Sequence, residues 1–294
     1  MKKIREIIAE YTEKLMPYSP SARLDVEILI CRVMDIDDKI QLMLNYDKIM
    51  DEKSFEKFSS MFEKRMNKMP IAYIINNKEF MGLDFYVNEN VLIPRPDTEV
   101  IVEELIEQMN RLSENKEVNI LDMCVGSGAI ILSGASLSEN TGHFKLYGAD
   151  ISKGALSVSR KNAKALNVDN ITFMETNLFS SDEIQSLKGT LDIIVSNPPY
   201  IEEKVIETLE PDVRDYEPFI ALSGGESGMD FYNKIIEESI EYLKDGGMLI
   251  FESGHDQAEK ISSKMLSCGF SDIYTKKDIQ GFNRMVAGTF NSGK

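Results

Sequence analysis

The chain has 294 residues, enough for two domains or for one large domain with an appendage. Hydrophobic residues make up 43% and charged residues 28%, which are the proportions of a globular protein rather than a disordered one. The net charge of −16 disfavours general nucleic-acid binding, because contacts to phosphate need clusters of Lys and Arg. All apolar runs are much shorter than a bilayer span, so we expect no transmembrane helix.

The N-terminal residues and the cysteines indicate a cytoplasmic protein without a metal site. Glu6 and Glu10 interrupt the apolar stretch that a signal peptide would need after its basic start. Cys31, Cys124 and Cys268 are far apart and form no CxxC pair, so neither a structural zinc site nor a disulfide framework is expected. Unpaired cysteines fit a reducing compartment.

Residues 1–72 are predicted to form a small helical domain. Two sets of apolar residues recur at helical spacing, with a helix start at Ser19–Ser21 between them. The sets are Ile4, Ile7, Ile8, Tyr11 and Leu15, and Phe55, Phe58, Phe62, Met66 and Met69. We interpret the Phe and Met stripe as core. The basic residues Lys57, Lys64, Arg65 and Lys68 alternate with Glu56 and Glu63, which predicts the solvated face of a helix rather than a binding patch.

Residues 73–95 are rich in β-forming side chains and contain two turn signals. Tyr73–Ile75, Phe85–Val87 and Val91–Ile93 are the apolar runs, and Asn76-Asn77 and Gly82 supply the turns. This pattern predicts a β-hairpin that links the helical domain to the rest of the chain.

Residues 96–294 alternate between helical and strand patterns. The predicted strands are Val118–Met123, Lys145–Ala149, Ile171–Glu175, Leu191–Ser196, Gly247–Glu252, Ser271–Lys277 and Arg284–Thr289. The predicted helices are Glu99–Met109, one from Ala129, Ser152–Leu166, Met229–Leu243 and Gln257–Leu266. This alternation predicts an α/β fold with a doubly wound, mostly parallel sheet, in which the last two strands form an antiparallel hairpin.

The loop after the first predicted strand of this sheet has the features of a cofactor site. Gly126 and Gly128 let the backbone turn tightly and approach a ligand. Asp150, at the end of the next strand, is placed to accept hydrogen bonds from ribose hydroxyls. These features fit either NAD or S-adenosylmethionine. Asp122 before the loop and the absence of GxGxxG favour S-adenosylmethionine, whose sulfonium and ammonium groups an acidic residue would attract. A tight turn that binds no ligand is the structural alternative.

The tetrapeptide Asn197-Pro198-Pro199-Tyr200 follows directly after an apolar strand. Each proline lacks an N–H donor, so the carbonyls of this turn have little local competition. The Asn197 side-chain oxygen and the Pro198 carbonyl can together accept both hydrogens of an –NH2 group, and Tyr200 offers an aromatic face to a planar substrate. A planar amide nitrogen is a weak nucleophile, and two such acceptors would orient its lone pair for methyl transfer.

The chain resembles the HemK/PrmC peptide-chain release factor glutamine methyltransferases over nearly its whole length. Four stretches carry the resemblance: Leu92–Glu99 (LIPRPDTE), the Gly126 loop with Asp150, Asn197–Tyr200, and Glu217-Pro218 through Ala221-Leu222 and Gly225 to Gly228-Met229. The tetrapeptide NPPY alone is also found in adenine-N6 methyltransferases. Combined with LIPRPDTE and the helical N-terminal domain, it becomes specific.

The resemblance implies a Rossmann-like, seven-stranded S-adenosylmethionine methyltransferase domain over 96–294. It implies N5-methylation of the glutamine in the Gly-Gly-Gln tripeptide of a class I release factor, which the helical domain would recognise. Asn197, Pro198, Pro199 and Tyr200 would bind the substrate amide, with Asn197, Pro198 and Tyr200 catalytic. The cofactor would lie against Asp122, Cys124, Val125, Gly126, Ser127, Gly128, Asp150, Asn177, Leu178 and Asn197. Two residues depart from the family pattern, which has Gly at Cys124 and commonly Asp at Asn177.

Two competing functions remain open at this point. An adenine-N6 methyltransferase shares NPPY, but the acidic composition argues against nucleic acid as the substrate. A non-catalytic binding module would keep the fold without the chemistry. Arg95 and Glu99 fit either a cofactor or substrate contact, or an ion pair at a helix start with Asp97 as N-cap. We expect His255 to be a surface residue near a helix start.

Overall fold

The computed structural model describes residues 2–112, 117–139, 144–291 and 293. By contacts between Cα atoms the chain divides into two compact units. The helical unit comprises Met1–Asn77 with Glu210–Tyr216, and the sheet unit comprises Lys78–Leu209 with Glu217–Lys294. The predicted boundaries at 72 and 95 differ from this division, which assigns most of residues 73–95 to the sheet unit.

The helical unit is built on an aromatic core. Its N-terminal segment forms α1 (Ile4–Leu15), α2 (Ala22–Met34), α3 (Lys39–Leu44), α4 (Glu52–Met66) and α5 (Ile71–Ile75). The Tyr11 ring packs edge-on against Phe58 and Phe62, with ring centroids 4.9 and 4.7 Å apart. Both phenylalanines are buried, so the predicted Phe stripe is confirmed as core.

Two predictions for this unit were wrong. Tyr73–Ile75 lie in α5 and not in a strand, because Tyr73 and Ile74 are buried and tertiary packing overrides a weak β-propensity. Arg65 is only 7% exposed and therefore does not belong to a solvated basic face. Its Nε donates to Asp25 at 2.7 Å, since a buried guanidinium requires an acidic partner.

The sheet unit opens with a short hairpin, β1 (Lys78–Phe80) and β2 (Leu83–Phe85), and a 3-10 turn at Pro96–Thr98. The following elements, in chain order, are α6 (Glu99–Leu112), β3 (Val118–Met123), α7 (Ala129–Leu137), β4 (Phe144–Asp150), α8 (Lys153–Ala165), β5 (Ile171–Glu175), α9 (Asp182–Gln185), β6 (Leu191–Ser196), α10 (Glu203–Ile206), α11 (Pro211–Arg214, part of the helical unit), α12 (Phe219–Leu222), α13 (Asp230–Ser239), β7 (Leu243–Glu252), α14 (Ala258–Ser267), β8 (Phe270–Lys277) and β9 (Asn283–Phe290).

The large sheet has the strand order β5-β4-β3-β6-β7-β9-β8. Strands β3 to β7 pair in parallel, and β9 runs antiparallel between β7 and β8. This arrangement confirms the predicted doubly wound sheet with a terminal hairpin. The helix predicted to reach Leu243 ends at Ser239, because Leu243 already pairs with Leu191 in the sheet.

The parallel strands bring their carboxyl ends to one edge of the sheet. Asp150, Ser196 and Glu252 are the last residues of β4, β6 and β7. The strand order reverses between β3 and β6, and the crevice at such a switch point is where open α/β sheets bind ligands. Within the described ranges, every helix is too short or too polar to cross a bilayer.

Candidate active site

A cleft opens at this carboxyl edge, above the switch point. It encloses about 1040 Å³, counted together with its solvent-open mouth. The cleft is lined by residues from the loops after β2, β3, β4, β5 and β6 and by α12 and α13. These residues include Asn90, Val91, Leu92, Pro94, Thr98, Met123, Cys124, Val125, Gly126, Ser127, Asp150, Ile151, Ser152, Asn177, Leu178, Asn197, Pro199, Ile220, Ala221 and Phe231.

The loop after β3 forms one wall through its backbone conformation. Gly126 and Gly128 have φ values of +53° and +82°, which favour glycine. A side chain at Gly128 would also meet the Leu132 Cδ1 atom at 2.7 Å. Cys124 adopts φ +64° without being glycine, so the cysteine keeps the left-handed backbone of this loop, and it is one of the residues that line the cleft. Burial raises the pKa of the Cys124 thiol, which makes a nucleophilic role unfavourable.

Asp150 ties this loop to the end of β4. Its Oδ2 accepts from the Gly126 amide at 3.0 Å, and its Oδ1 accepts from the Ser152 amide at 2.8 Å. Burial raises the pKa of Asp150, and these two amides partly offset that effect. The carboxylate therefore shapes the glycine loop and also lines the cleft.

Asp122 lies in β3 and does not line the cleft, and neither does Gly128. Asp122 is 1% exposed, and neither of its carboxylate oxygens has a hydrogen-bond partner of normal geometry in the described part of the chain. Burial raises its pKa well above the usual value; the Ile131 amide offsets this only partly, and the Asp150 charge adds to it. A buried carboxylate of this kind would gain from a cationic ligand bound near it.

Asn177 and Leu178 form the opposite wall, after β5. The Thr176 amide donates to the Asp150 carbonyl at 3.0 Å, which fixes this segment beside the end of β4. The Thr176 hydroxyl donates to the Leu178 carbonyl at 2.7 Å and supports the left-handed φ of +52° at Leu178. The exposed Asn177 side chain is thereby held at the cleft surface.

The turn after β6 places Asn197 and Pro199 on the cleft wall, while Pro198 and Tyr200 lie behind it. Among the described residues, neither the Asn197 side chain nor the Pro198 carbonyl has a hydrogen-bond partner. Neither acceptor is therefore engaged within the described part of the protein, and Asn197 is the one that borders the cleft. Tyr200 is held through its backbone, because its carbonyl accepts from the Gln257 side chain at 3.0 Å.

The sequence interpretation missed Glu252 and Gln257. Glu252 is 2% exposed, and the Tyr200 hydroxyl lies 3.5 Å from its Oε1. Gln257 bridges three backbone groups, since it also donates to the Gly228 carbonyl and accepts from the Gly254 amide. The signal for Glu252 was a carboxylate that ends an apolar strand, the same signal that identified Asp150.

Arg95 pairs with Glu217 and not with Glu99. Glu217 has a side chain only 1% exposed and also accepts from the Ile93 amide at 3.4 Å. Asp97 lies within the 3-10 turn and pairs with Arg284 at 3.1 Å, so the predicted N-cap role of Asp97 was wrong. The Arg95 pair joins the Leu92–Glu99 stretch to the segment before α12, two parts of the cleft wall.

Replacing Arg95 with Met is expected to lower the free energy of unfolding by about 1–2 kcal/mol, because Glu217 would lose its cationic partner inside the protein. The value is at the low end of such effects because the Arg95 side chain is 37% exposed. Urea denaturation measures the change. Combining R95M with E217Q should recover part of the loss.

The matched control is Arg214, which pairs with Asp215 where both side chains are well exposed. Arg214→Met should leave the unfolding midpoint unchanged within error. An R95M protein as stable as the wild type would show that the pair does not support the cleft wall.

His255 lies away from this chemistry. Its side chain is 69% exposed and it precedes α14 by three positions, as expected for a surface residue. The described residues contain no group of three or more His, Cys, Asp or Glu side chains that could hold a metal ion.

Comparison with known proteins adds the family. Residues 6–75 match the PrmC N-terminal domain and residues 99–210 match the methyltransferase small domain. A release factor glutamine methyltransferase of Clostridium acetobutylicum is 40% identical over 89% of this chain and 89% of its own length. One of Thermodesulfovibrio yellowstonii is 34% identical over 97% of this chain and 96% of its own. The chain belongs to the release factor glutamine methyltransferase family. Membership confirms the resemblance, the methyltransferase class and the S-adenosylmethionine cofactor that it implied.

A solved structure supports the fold. A methyltransferase from Pyrococcus furiosus superposes with a TM-score of 0.51 at 19% identity, covering 81% of this chain and 99% of the other. At this identity the likeness extends to the fold alone, and it agrees with the predicted methyltransferase sheet.

Proposed function

We propose that this protein transfers a methyl group from S-adenosylmethionine to the side-chain amide nitrogen, N5, of the glutamine in the Gly-Gly-Gln motif of a class I peptide chain release factor. The observation that carries the proposal is the pair of unengaged acceptors, the Asn197 side chain and the Pro198 carbonyl, in the turn that borders the Asp150 cleft. Family membership supports the same substrate, since the relatives bear that name.

The residues of the cleft fit S-adenosylmethionine. Asp150 can accept from ribose hydroxyls at the end of β4, and Leu178 and Ile151 provide apolar surface for an adenine ring. The buried Asp122 carboxylate, which has no normal hydrogen bond, favours positive charge near the Gly126 loop. When bound, S-adenosylmethionine supplies the methyl group as an activated sulfonium substituent.

The turn would act by orientation and by electrostatic stabilisation. The Asn197 side-chain oxygen and the Pro198 carbonyl accept the two hydrogens of the glutamine amide. That arrangement points the nitrogen lone pair into the cleft and stabilises the positive charge that develops on nitrogen. Tyr200 packs beside the planar amide, and the proton that the methylated nitrogen loses passes to water rather than to a dedicated base.

The proposal also assigns roles to the domains and a location to the protein. We assign recognition of the release factor to the helical domain, residues 1–72, and a joint to residues 73–95. The catalytic domain then comprises residues 96–294. A release factor substrate places the protein in the cytoplasm, and direct binding to nucleic acid is not part of the proposal.

Mass spectrometry of a class I release factor after incubation with this protein and S-adenosylmethionine tests the function. We expect a single methyl group on the glutamine of the Gly-Gly-Gln motif. A release factor carrying Asn at that position is the matched control and should remain unmodified. Parallel reactions with DNA and RNA test the adenine-N6 alternative, and label on nucleic acid alone would overturn the proposal.

A further inference from the structure

Glu252 is a buried acid beside the turn Asn197–Tyr200, which we call the substrate turn. The proposed chemistry assigns no role to Glu252. Strands β6 and β7 pair in parallel with Ser196 opposite Phe251, so Asn197, the first residue after β6, and Glu252, the last residue of β7, are neighbours at this edge of the sheet. Glu252 is 2% exposed, although burying a carboxylate is costly. Because Glu252 is buried at the active-site edge in spite of this cost, it is a candidate for a role in the reaction.

The Glu252 carboxyl group faces side chains from two other parts of the site. The Tyr200 hydroxyl lies 3.5 Å from Oε1, and the nearby Thr98 side chain favours the ionised form of the carboxyl group. Oε2 has no hydrogen-bond partner among the described residues. Arg284 is close enough to favour the ionised form, but its guanidinium pairs with Asp97 and Asp278 instead.

We propose that Glu252 is a positioning residue for methyl transfer, which holds the Tyr200 hydroxyl and so fixes the aromatic ring beside the substrate amide. The inference rests on the proposed function, because it assigns the ring a task in glutamine binding. The backbone of Tyr200 is already held by Gln257. Glu252 supplies the second restraint, at the far end of the side chain, where a hydrogen bond to the hydroxyl limits the swing of the ring away from its place.

The protonation equilibrium of Glu252 supports this role. Burial raises its pKa to about 7, and the nearby Thr98 side chain and the Arg284 charge limit the rise. Near neutral pH the carboxyl group is thus partly protonated, so it can accept from Tyr200 without the full cost of a buried charge. A glutamine side chain has the same shape and keeps one acceptor oxygen.

A double-mutant cycle between Tyr200→Phe and Glu252→Met tests the inference, with kcat and KM measured on a release factor. Methionine fills the buried space without an acceptor, and each single change should lower kcat about tenfold with little change in KM. The double variant should lose no more than either single one, because both remove the same contact. Glu252→Gln should recover most of the loss seen with E252M.

Glu104 offers a matched control within the same unit. It is 1% exposed and accepts from the Tyr274 hydroxyl at 2.6 Å, on α6 away from the cleft. Glu104→Met should lower the unfolding midpoint and leave kcat unchanged. Losses that multiply to about a hundredfold in the Y200F/E252M double variant, or a wild-type kcat in E252M, would overturn the proposal, and so would an equal kcat loss in E104M.

The proposed function can fail separately. If the wild-type protein places no methyl group on glutamine, the substrate assignment is wrong. The contact between Tyr200 and Glu252 is then tested by urea unfolding of the wild type, Y200F, E252M and the double variant. Coupling between residues 200 and 252 that is zero within error would also overturn the inference, whereas clear coupling would support the contact.

Discussion

Replacing Asn197 with Ala is expected to lower kcat by about 10²–10³-fold while leaving the affinity for S-adenosylmethionine nearly unchanged. The Asn197 side chain borders the cleft and has no hydrogen-bond partner in the described residues, so its removal costs the folded protein little. The loss falls on the substrate amide, whose nitrogen would lose one of two acceptors. Single-turnover methylation gives the rate, and calorimetry gives the cofactor affinity.

Asn177→Ala is the matched control for N197A, because Asn177 is an asparagine on the opposite wall of the same cleft. We expect N177A to weaken cofactor binding modestly and to keep kcat at saturating cofactor. An N197A protein with a kcat within threefold of the wild type would exclude the acceptor role of Asn197. A large fall in its cofactor affinity would instead assign the residue to cofactor binding.

Replacing Asp150 with Ala is expected to weaken S-adenosylmethionine binding by about 100-fold, with a smaller effect on kcat at saturating cofactor. Two charge-assisted hydrogen bonds to ribose hydroxyls account for a change of this size. The Gly126 amide would also lose its acceptor, so the glycine loop would hold its shape less firmly. Calorimetric titration with the cofactor measures the change.

Ser152→Ala separates the ligand contact from the stability of the loop. The Ser152 hydroxyl caps α8 by accepting from the Ala155 amide at 3.1 Å, close to Asp150 in the chain. Loss of an N-cap costs about 1 kcal/mol, so S152A should be less stable and yet bind cofactor normally. If S152A and D150A weaken binding equally, the effect belongs to the loop and not to the Asp150 carboxylate.

The sheet and much of the site were predictable because their signals are local. The strand Leu191–Ser196 contains the apolar run Ile193–Val195, and consecutive apolar residues of this kind mark a strand that is buried on both faces. Gly126 and Asp150 stand at strand ends, where the topology of an α/β sheet brings loops together. The cleft accordingly contains Gly126, Asp150 and Asn197 as neighbours on its walls.

The remaining features depend on contacts between residues far apart in the chain. Arg65 and Asp25 are separated by 40 positions, and Arg95 and Glu217 by 122, so no local pattern could pair them. The hydrogen bond between Tyr200 and Glu252 has the same origin, since register between β6 and β7 brings them together. Tyr73–Ile75 were predicted to be a strand because a run of three residues is too short to show the periodicity of a helix, which left only their β-propensity as a signal.

The backbone around Tyr200 leaves no room for a Cβ atom at Gly224 or at Gly228. A Cβ on Gly224 would lie 2.7 Å from the Tyr200 Cα, and one on Gly228 would lie 2.4 Å from the Tyr200 carbonyl oxygen. Alanine at either position would have to displace the main chain of the substrate turn itself. Gly224 and Gly228 neither line the cleft nor carry a functional group, yet they determine the position of the Asn197 and Pro198 acceptors. We therefore expect a change from glycine to alanine at either position to alter the active site.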